Sequence, residues 1–130
     1  MIFKQVFDKK TSTYTYLIAS SIGREALIID PVLDNINEYI SLLNELDLKL
    51  VKVIDTHIHA DHITGASKLK EQTNCTTIMG EQTPADTLDL KVKDEEIIKL
   101  DQIEIRALYT PGHTSDSFSF LMNDYLFSGD

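Results

Sequence analysis

Along most of the chain, apolar residues either alternate with polar ones or run together in short blocks, and both patterns predict strands rather than long helices. Residues 2–7 and 13–19 alternate or are rich in β-branched side chains, and Asp8-Lys9-Lys10 supplies the turn between them. After Ile22-Gly23, residues 26–29 are apolar throughout, as expected of a strand covered on both faces, and Asp30-Pro31 ends it. The period then changes: Ile36, Tyr39, Ile40, Leu43 and Leu46 recur at helical spacing, and Asn35 with Glu38 resembles a capping box, so a helix is predicted over 35–47. Residues 50–54 form the next strand. A second helix is predicted over 63–72, with Ile63, Ala66 and Leu69 on one face and Lys68, Lys70 and Glu71 outside. Short strands follow at 76–79, 96–100, 103–109, 117–122 and 125–127, with Asn123-Asp124 as a tight hairpin turn. Residues 83–93 are the most polar and least patterned stretch, and predict an exposed loop or a short helix.

This order predicts a layered α/β arrangement with helices on one outer face of a sheet. At 130 residues the chain is one domain or less. The final strand is followed closely by the last residue, with no closing helix, so residues 1–130 are expected to form a domain incomplete at its C-terminal side. A hydrophobic fraction of 42% and a charged fraction of 25% are those of an ordinary globular protein. The formal charge of −9 argues against nucleic acid and against an anionic membrane surface. No apolar stretch approaches a membrane span, and no secretory pattern opens the chain. Cys75 is the single cysteine, so no intrachain disulfide forms and a reducing cytoplasm is expected. Within its apolar run it reads as a small buried hydrophobe rather than a reactive thiol.

The candidate chemistry sits at strand ends. Thr56-His57-Ile58-His59-Ala60-Asp61-His62 places three of the four histidines directly after the strand at 50–54, where open α/β sheets form ligand sites. The fourth, His113, lies in Thr110-Pro111-Gly112-His113-Thr114, whose Pro-Gly turn can aim the ring. Ser128-Gly129-Asp130 follows the strand at 125–127. His57 and His59 face one side if strand geometry persists, while Asp61 and His62 approach from the turn into the helix. Neutral imidazole suits zinc, iron, copper and nickel, and a carboxylate adds charge compensation. Asp130 could complete a site of two histidines and one carboxylate, or bridge two metals. Plainer roles exist for single residues: Asp61 as a helix N-cap, Asp130 as a terminal aspartate. Ser115, Ser117 and Ser119 alternate with apolar residues and read as lining a strand face rather than as nucleophiles.

The run from Thr56 to His62 resembles the His-x-His-x-Asp-His signature of the metallo-β-lactamase superfamily, and Thr110-Pro-Gly-His-Thr114 and Ser128-Gly-Asp130 resemble its later metal motifs, in order. The extension His59-Ala-Asp-His-Ile-Thr-Gly65 is similar to that of the persulfide dioxygenases, as are Asp30-Pro31-Val32-Leu33 and Phe3-Lys-Gln-Val-Phe7. The resemblance implies the N-terminal part of an αββα sandwich with a mixed β-sheet and flanking helices. It implies one Fe(2+) held by His57, His113 and Asp130, with Zn(2+) as the alternative, and open positions for oxygen activation. His59, Asp61 and His62 would then be outer groups that orient the ligands, or ligands of a second metal. The implied substrates are O2 and a low-molecular-weight thiol persulfide of the glutathione type, oxidised to sulfite. Separately, apolar surface left exposed on a half-sandwich leads to the expectation of a homo-oligomer, a dimer.

Family members continue well past the Gly-Asp motif, so a truncated chain with an unfinished substrate site is expected. No lysine or arginine lies between Lys52 and Lys68 or after Arg106 to capture an anionic thiol carrier. Two other functions fit the same residues. One is a zinc-dependent thioester hydrolase of the glyoxalase II kind, in which the same motifs hold metal ions that activate water. The other is a non-catalytic fragment that self-associates through exposed apolar surface.

Overall fold

The computed structural model describes residues 1–57, 65–83, 88–112 and 114–128. Two sheets face each other. The first is six-stranded, in the order β1 (Ile2–Asp8), β2 (Thr13–Ala19), β3 (Glu25–Ile29), β4 (Lys49–Ile54), β5 (Thr76–Gly80) and β6 (Leu90–Val92). The β1–β2 and β2–β3 pairs are antiparallel; β3 to β6 run parallel, which makes the sheet mixed. The second sheet is an antiparallel meander of β7 (Ile97–Leu100), β8 (Ile103–Tyr109), β9 (Phe118–Met122) and β10 (Tyr125–Phe127).

The alternation of side chains decides how these layers stack. One face of the first sheet (Ile18, Leu27, Ile29, Ile54, Ile78 and Val92) meets the inner face of the second, including Ile105, Phe118 and Phe120, in one buried cluster. The opposite face (Leu17, Ala26, Ile28, Leu50 and Val53) packs against α1 (Ile36–Glu45) and α2 (Ala66–Thr73) through Tyr39, Leu43 and Leu69. Strand β3 has core on both sides, and Ala26, Leu27, Ile28 and Ile29 are fully buried, as its unbroken apolar run predicts. Each fully buried aliphatic or aromatic side chain stabilises the fold by about 1.5–3 kcal/mol relative to exposure. The far edges of the two sheets are closed by rings: Phe3 stacks on Tyr125 at 4.9 Å between centroids, and Tyr16 meets Phe127 at 4.8 Å.

Two local readings need correction. The polar stretch 83–93 contains a strand, β6, rather than only a loop or helix; its Lys91 and Leu90 are exposed, and Val92 alone enters the core. The expected capping box does not form. A short 3-10 turn, Leu33–Asn35, precedes α1, and Asn35 has no side-chain cap bond. Its amide Nδ2 instead donates to Asp8 Oδ1 at 3.1 Å, tying the helix start to the β1–β2 turn. The start of the second predicted helix, and Asp61 as its N-cap, lie outside the described residues. Among the described residues no helix is long and apolar enough to cross a membrane.

Candidate metal centre

Ile29, Ile54 and Ile78 are aligned across β3, β4 and β5, so the residues after them emerge together at the carboxyl edge of the parallel strands. Asp30, Asp55, Thr56 and His57 emerge there, all buried. Asp30 N–H donates to Ile54 O at 2.8 Å and Asp55 N–H to Ile78 O at 3.1 Å, extending the ladder one step beyond the regular strands.

Thr56 is the joint of this edge. Its backbone N–H donates to Asp30 Oδ1 at 2.8 Å, and its hydroxyl donates to Asp30 Oδ2 at 2.9 Å, so one carboxylate grips both groups. The same hydroxyl lies 2.9 Å from His57 Nδ1. Thr56 O accepts from Phe118 N–H at 2.8 Å, which fastens the first residue of β9 to the β4 exit across the two sheets. Asp30 has φ +56°, a left-handed conformation that aspartate tolerates better than most side chains. Its carbonyl accepts from Thr15 Oγ1 at 2.7 Å. Thr15 Oγ1 is also 3.0 Å from Tyr39 Oη, which accepts from Val32 N–H at 3.0 Å. Each of these polar groups is buried and each has a partner, which is what makes such a cluster rigid.

The second loop is organised by its own hydroxyls. Thr110 N–H donates to Ser117 O at 3.0 Å and closes the segment that leads into β9. Within it, Thr114 Oγ1 donates to Asp116 Oδ1 at 2.6 Å and lies 2.7 Å from Ser117 Oγ. Thr110 Oγ1 and Ser119 Oγ are 2.8 Å apart. The expectation that the serines line a strand face holds for Ser119; Ser115 and Ser117 lie in the turn before β9. Ser119 and Ser117 are buried and hydrogen-bonded to hydroxyls, without an adjacent histidine among their described partners.

Of the six predicted site residues, His57 is described: it is 4% exposed at the carboxyl edge, beside Thr56. His59, Asp61, His62, His113 and Asp130 lie outside the described residues. Among the described residues no cluster of three or more histidine, cysteine, aspartate or glutamate side chains could hold a metal. What the described part offers is a buried imidazole with one ring nitrogen fixed by an outer hydroxyl, which is how metal-ligating histidines are held, so His57 fits a ligand role. The residue that sequence reasoning missed here is Asp30. In the sequence it stands only as a strand end and as part of the Asp30-Pro31-Val32-Leu33 resemblance, although a carboxylate after an all-apolar strand, level with a threonine-histidine pair after the next strand, is a readable signal.

The sequence model of the Metallo-beta-lactamase superfamily matches residues 9–130. "Persulfide dioxygenase ETHE1, mitochondrial" of Mus musculus is 35% identical over 133 residues, covering 100% of this chain and 52% of that protein. The crystal structure of ETHE1 from Myxococcus xanthus superposes with a TM-score of 0.94 at 42% identity, covering 98% of this chain and 56% of that one. A metallo-beta-lactamase structure from Staphylococcus aureus subsp. aureus COL gives a TM-score of 0.88 at 32% identity, over 98% of this chain and 42% of that one. The chain thus spans about half the length of the relatives it matches.

Proposed function

Because the chain belongs to the metallo-β-lactamase superfamily, we propose that its site serves the oxidation of a low-molecular-weight thiol persulfide, of the glutathione type, to sulfite by dioxygen. The observation that carries this reading is the likeness to persulfide dioxygenases, which extends over the whole of this chain in sequence and over nearly all of it in structure. In the proposal His57, His113 and Asp130 hold one iron(II), and His59, Asp61 and His62 orient those ligands. Bound there, iron(II) supplies open coordination positions and the redox chemistry that lets dioxygen react with a thiol persulfide. The outer sulfur gains three oxygens, two from dioxygen and one from water, and the carrier leaves as a free thiol.

This chain's own residues have simpler tasks. His57 presents its ring from a buried, hydroxyl-fixed position. The Phe118–Thr56 hydrogen bond keeps the loop that contains His113 attached to the strand end that carries His57. A cytoplasmic setting belongs to the same proposal and is supported by the lone, buried, unpaired Cys75. So does a homodimer, supported by Ile97 and Leu126, which stay exposed on the outer side of the second sheet.

The test combines metal content with oxygen uptake. Protein purified without added metal should hold iron near one per chain. Oxygen consumption with glutathione persulfide should disappear in His57→Ala, His113→Ala and Asp130→Ala. About two zinc per chain with no iron would shift the assignment to a hydrolase, and uptake that survives any one substitution would remove that residue from the ligand set.

A further inference from the structure

A hydroxyl has one hydrogen to give. The Thr56 hydroxyl donates its hydrogen to Asp30 Oδ2, at 2.9 Å, because a carboxylate only accepts. Toward His57 Nδ1, also at 2.9 Å, Thr56 Oγ1 is therefore the acceptor, and Nδ1 is the nitrogen that carries hydrogen. In a neutral imidazole the lone pair then lies on Nε2. The same counting fixes the other end: Thr15 Oγ1 spends its hydrogen on Asp30 O, so Tyr39 donates to Thr15 while accepting from Val32 N–H. Asp30 is clamped through its backbone by Thr15 of β2 and Ile54 of β4, with Tyr39 of α1 holding Thr15 in turn, and grips Thr56 with both carboxylate oxygens.

We propose that Asp30, acting through the Thr56 hydroxyl, is a positioning residue that locks His57 in the Nδ1–H tautomer and so presents Nε2 as the metal-ligating atom. The proposal deepens the reading of His57 as a metal ligand and rests on it for its consequence, but the tautomer can be observed without metal. Asp30→Asn has nearly the same shape and reverses the direction of the chain. Its Oδ1 still accepts from Thr56 N–H, its amide donates to Thr56 Oγ1, and the hydroxyl hydrogen then turns toward Nδ1 and forces the hydrogen onto Nε2.

The experiment is two-dimensional ¹⁵N–¹H spectroscopy of the imidazoles in the metal-free chain, at a pH where the ring is neutral. Zinc and cobalt(II) affinities are measured beside it by competition with a chelator. Wild type and Thr56→Ser should show His57 as Nδ1–H; Asp30→Asn should show Nε2–H. Metal affinity should fall about 10- to 100-fold in Asp30→Asn and Thr56→Val and recover in Thr56→Ser. Tyr39→Phe removes only the distal clamp and should lower stability without changing the tautomer. An Nε2–H tautomer in wild type overturns the proposal, and so does an unchanged tautomer with unchanged affinity in Asp30→Asn. If Asp30→Asn does not fold, the Thr56→Val and Thr56→Ser pair decides: wild-type affinity in the valine variant overturns the proposal, and loss with recovery in serine supports it. A wild-type chain that shows Nδ1–H yet binds no metal supports the positioning role while removing the proposed function.

Discussion

Replacing Gly80 with alanine should damage the fold and the site together. Gly80 ends β5 and is buried against Phe118, which opens β9. A Cβ at position 80 would lie 2.0 Å from Phe118 Cδ1, 2.2 Å from Cε1 and 2.6 Å from Cγ. Carbon atoms in contact sit about 3.5–4.0 Å apart, so the ring would have to retreat by about 1.5 Å. It has no free space to enter, because Phe118 is fully buried with Tyr109 at 5.4 Å and Phe120 at 6.5 Å between centroids. Forcing a methyl into a packed core costs about 1–3 kcal/mol. Moving Phe118 also strains its N–H bond to Thr56 O, worth about 0.5–1.5 kcal/mol. The predicted loss is about 3 kcal/mol, and with urea slopes of about 1–3 kcal/mol/M the unfolding midpoint should fall by roughly 1 M or more. Phe118→Leu shortens the obstructing side chain, so the double variant should be more stable than the two single losses add up to, with a coupling of at least about 1 kcal/mol. A Gly80→Ala midpoint that differs from wild type by no more than an ordinary surface substitution, about 0.5 kcal/mol, would refute the packing argument.

Two further predictions concern charge and the thiol. Hydrogen bonds from Arg24 and Ser20 hold the Asp101 carboxyl below its usual range, and Lys70 with Thr77 does the same for Asp89. A carboxyl lowered in the folded state adds stability that is complete above its unfolded value and is lost as pH falls through the folded one. These two pairs should therefore leave the urea midpoint unchanged from pH 7 to 5 and lower it below about pH 4, and Arg24→Gln should make that acid drop shallower; an unchanged acid profile in Arg24→Gln would count against the Asp101 pair. Cys75 is 2% exposed, and burial pushes its thiol up. Iodoacetamide at pH 8 should label the folded chain far more slowly than the urea-unfolded chain, and equal rates would contradict the burial of β5's entry.

How far the sequence could be read depended on what each residue had to satisfy. β3 and α1 were legible because their burial pattern repeats over several residues: Ala26, Leu27, Ile28 and Ile29 fill both cores, and Ile36, Tyr39 and Leu43 line one helix face. β6 was not legible because Val92 is its single inward side chain, and no period exists in three residues. Asn35 misled because a local cap and a long-range bond to Asp8 use the same amide, and the tertiary partner won. The histidine cluster drew notice through its density, but the groups that fix His57 are scattered over Thr15, Asp30, Tyr39 and Thr56. Only the parallel register of β3 and β4 brings the last and second of these together. Asp30 carries two demands at once, a left-handed backbone and a double acceptor, and a linear reading shows neither.

The ring contacts between Phe3 and the pair Tyr125 and Phe127 bear on how this polypeptide acquires its shape during synthesis. Phe3 leaves the ribosome early, and its partners are made more than a hundred residues later. At translation speeds of about 5–20 residues per second the wait lasts several seconds or more. Through that interval β1 can pair with β2, yet its aromatic side remains uncovered and available to chaperones. A nascent chain stalled before Tyr125 should keep that side sticky, and one that has cleared Phe127 should not.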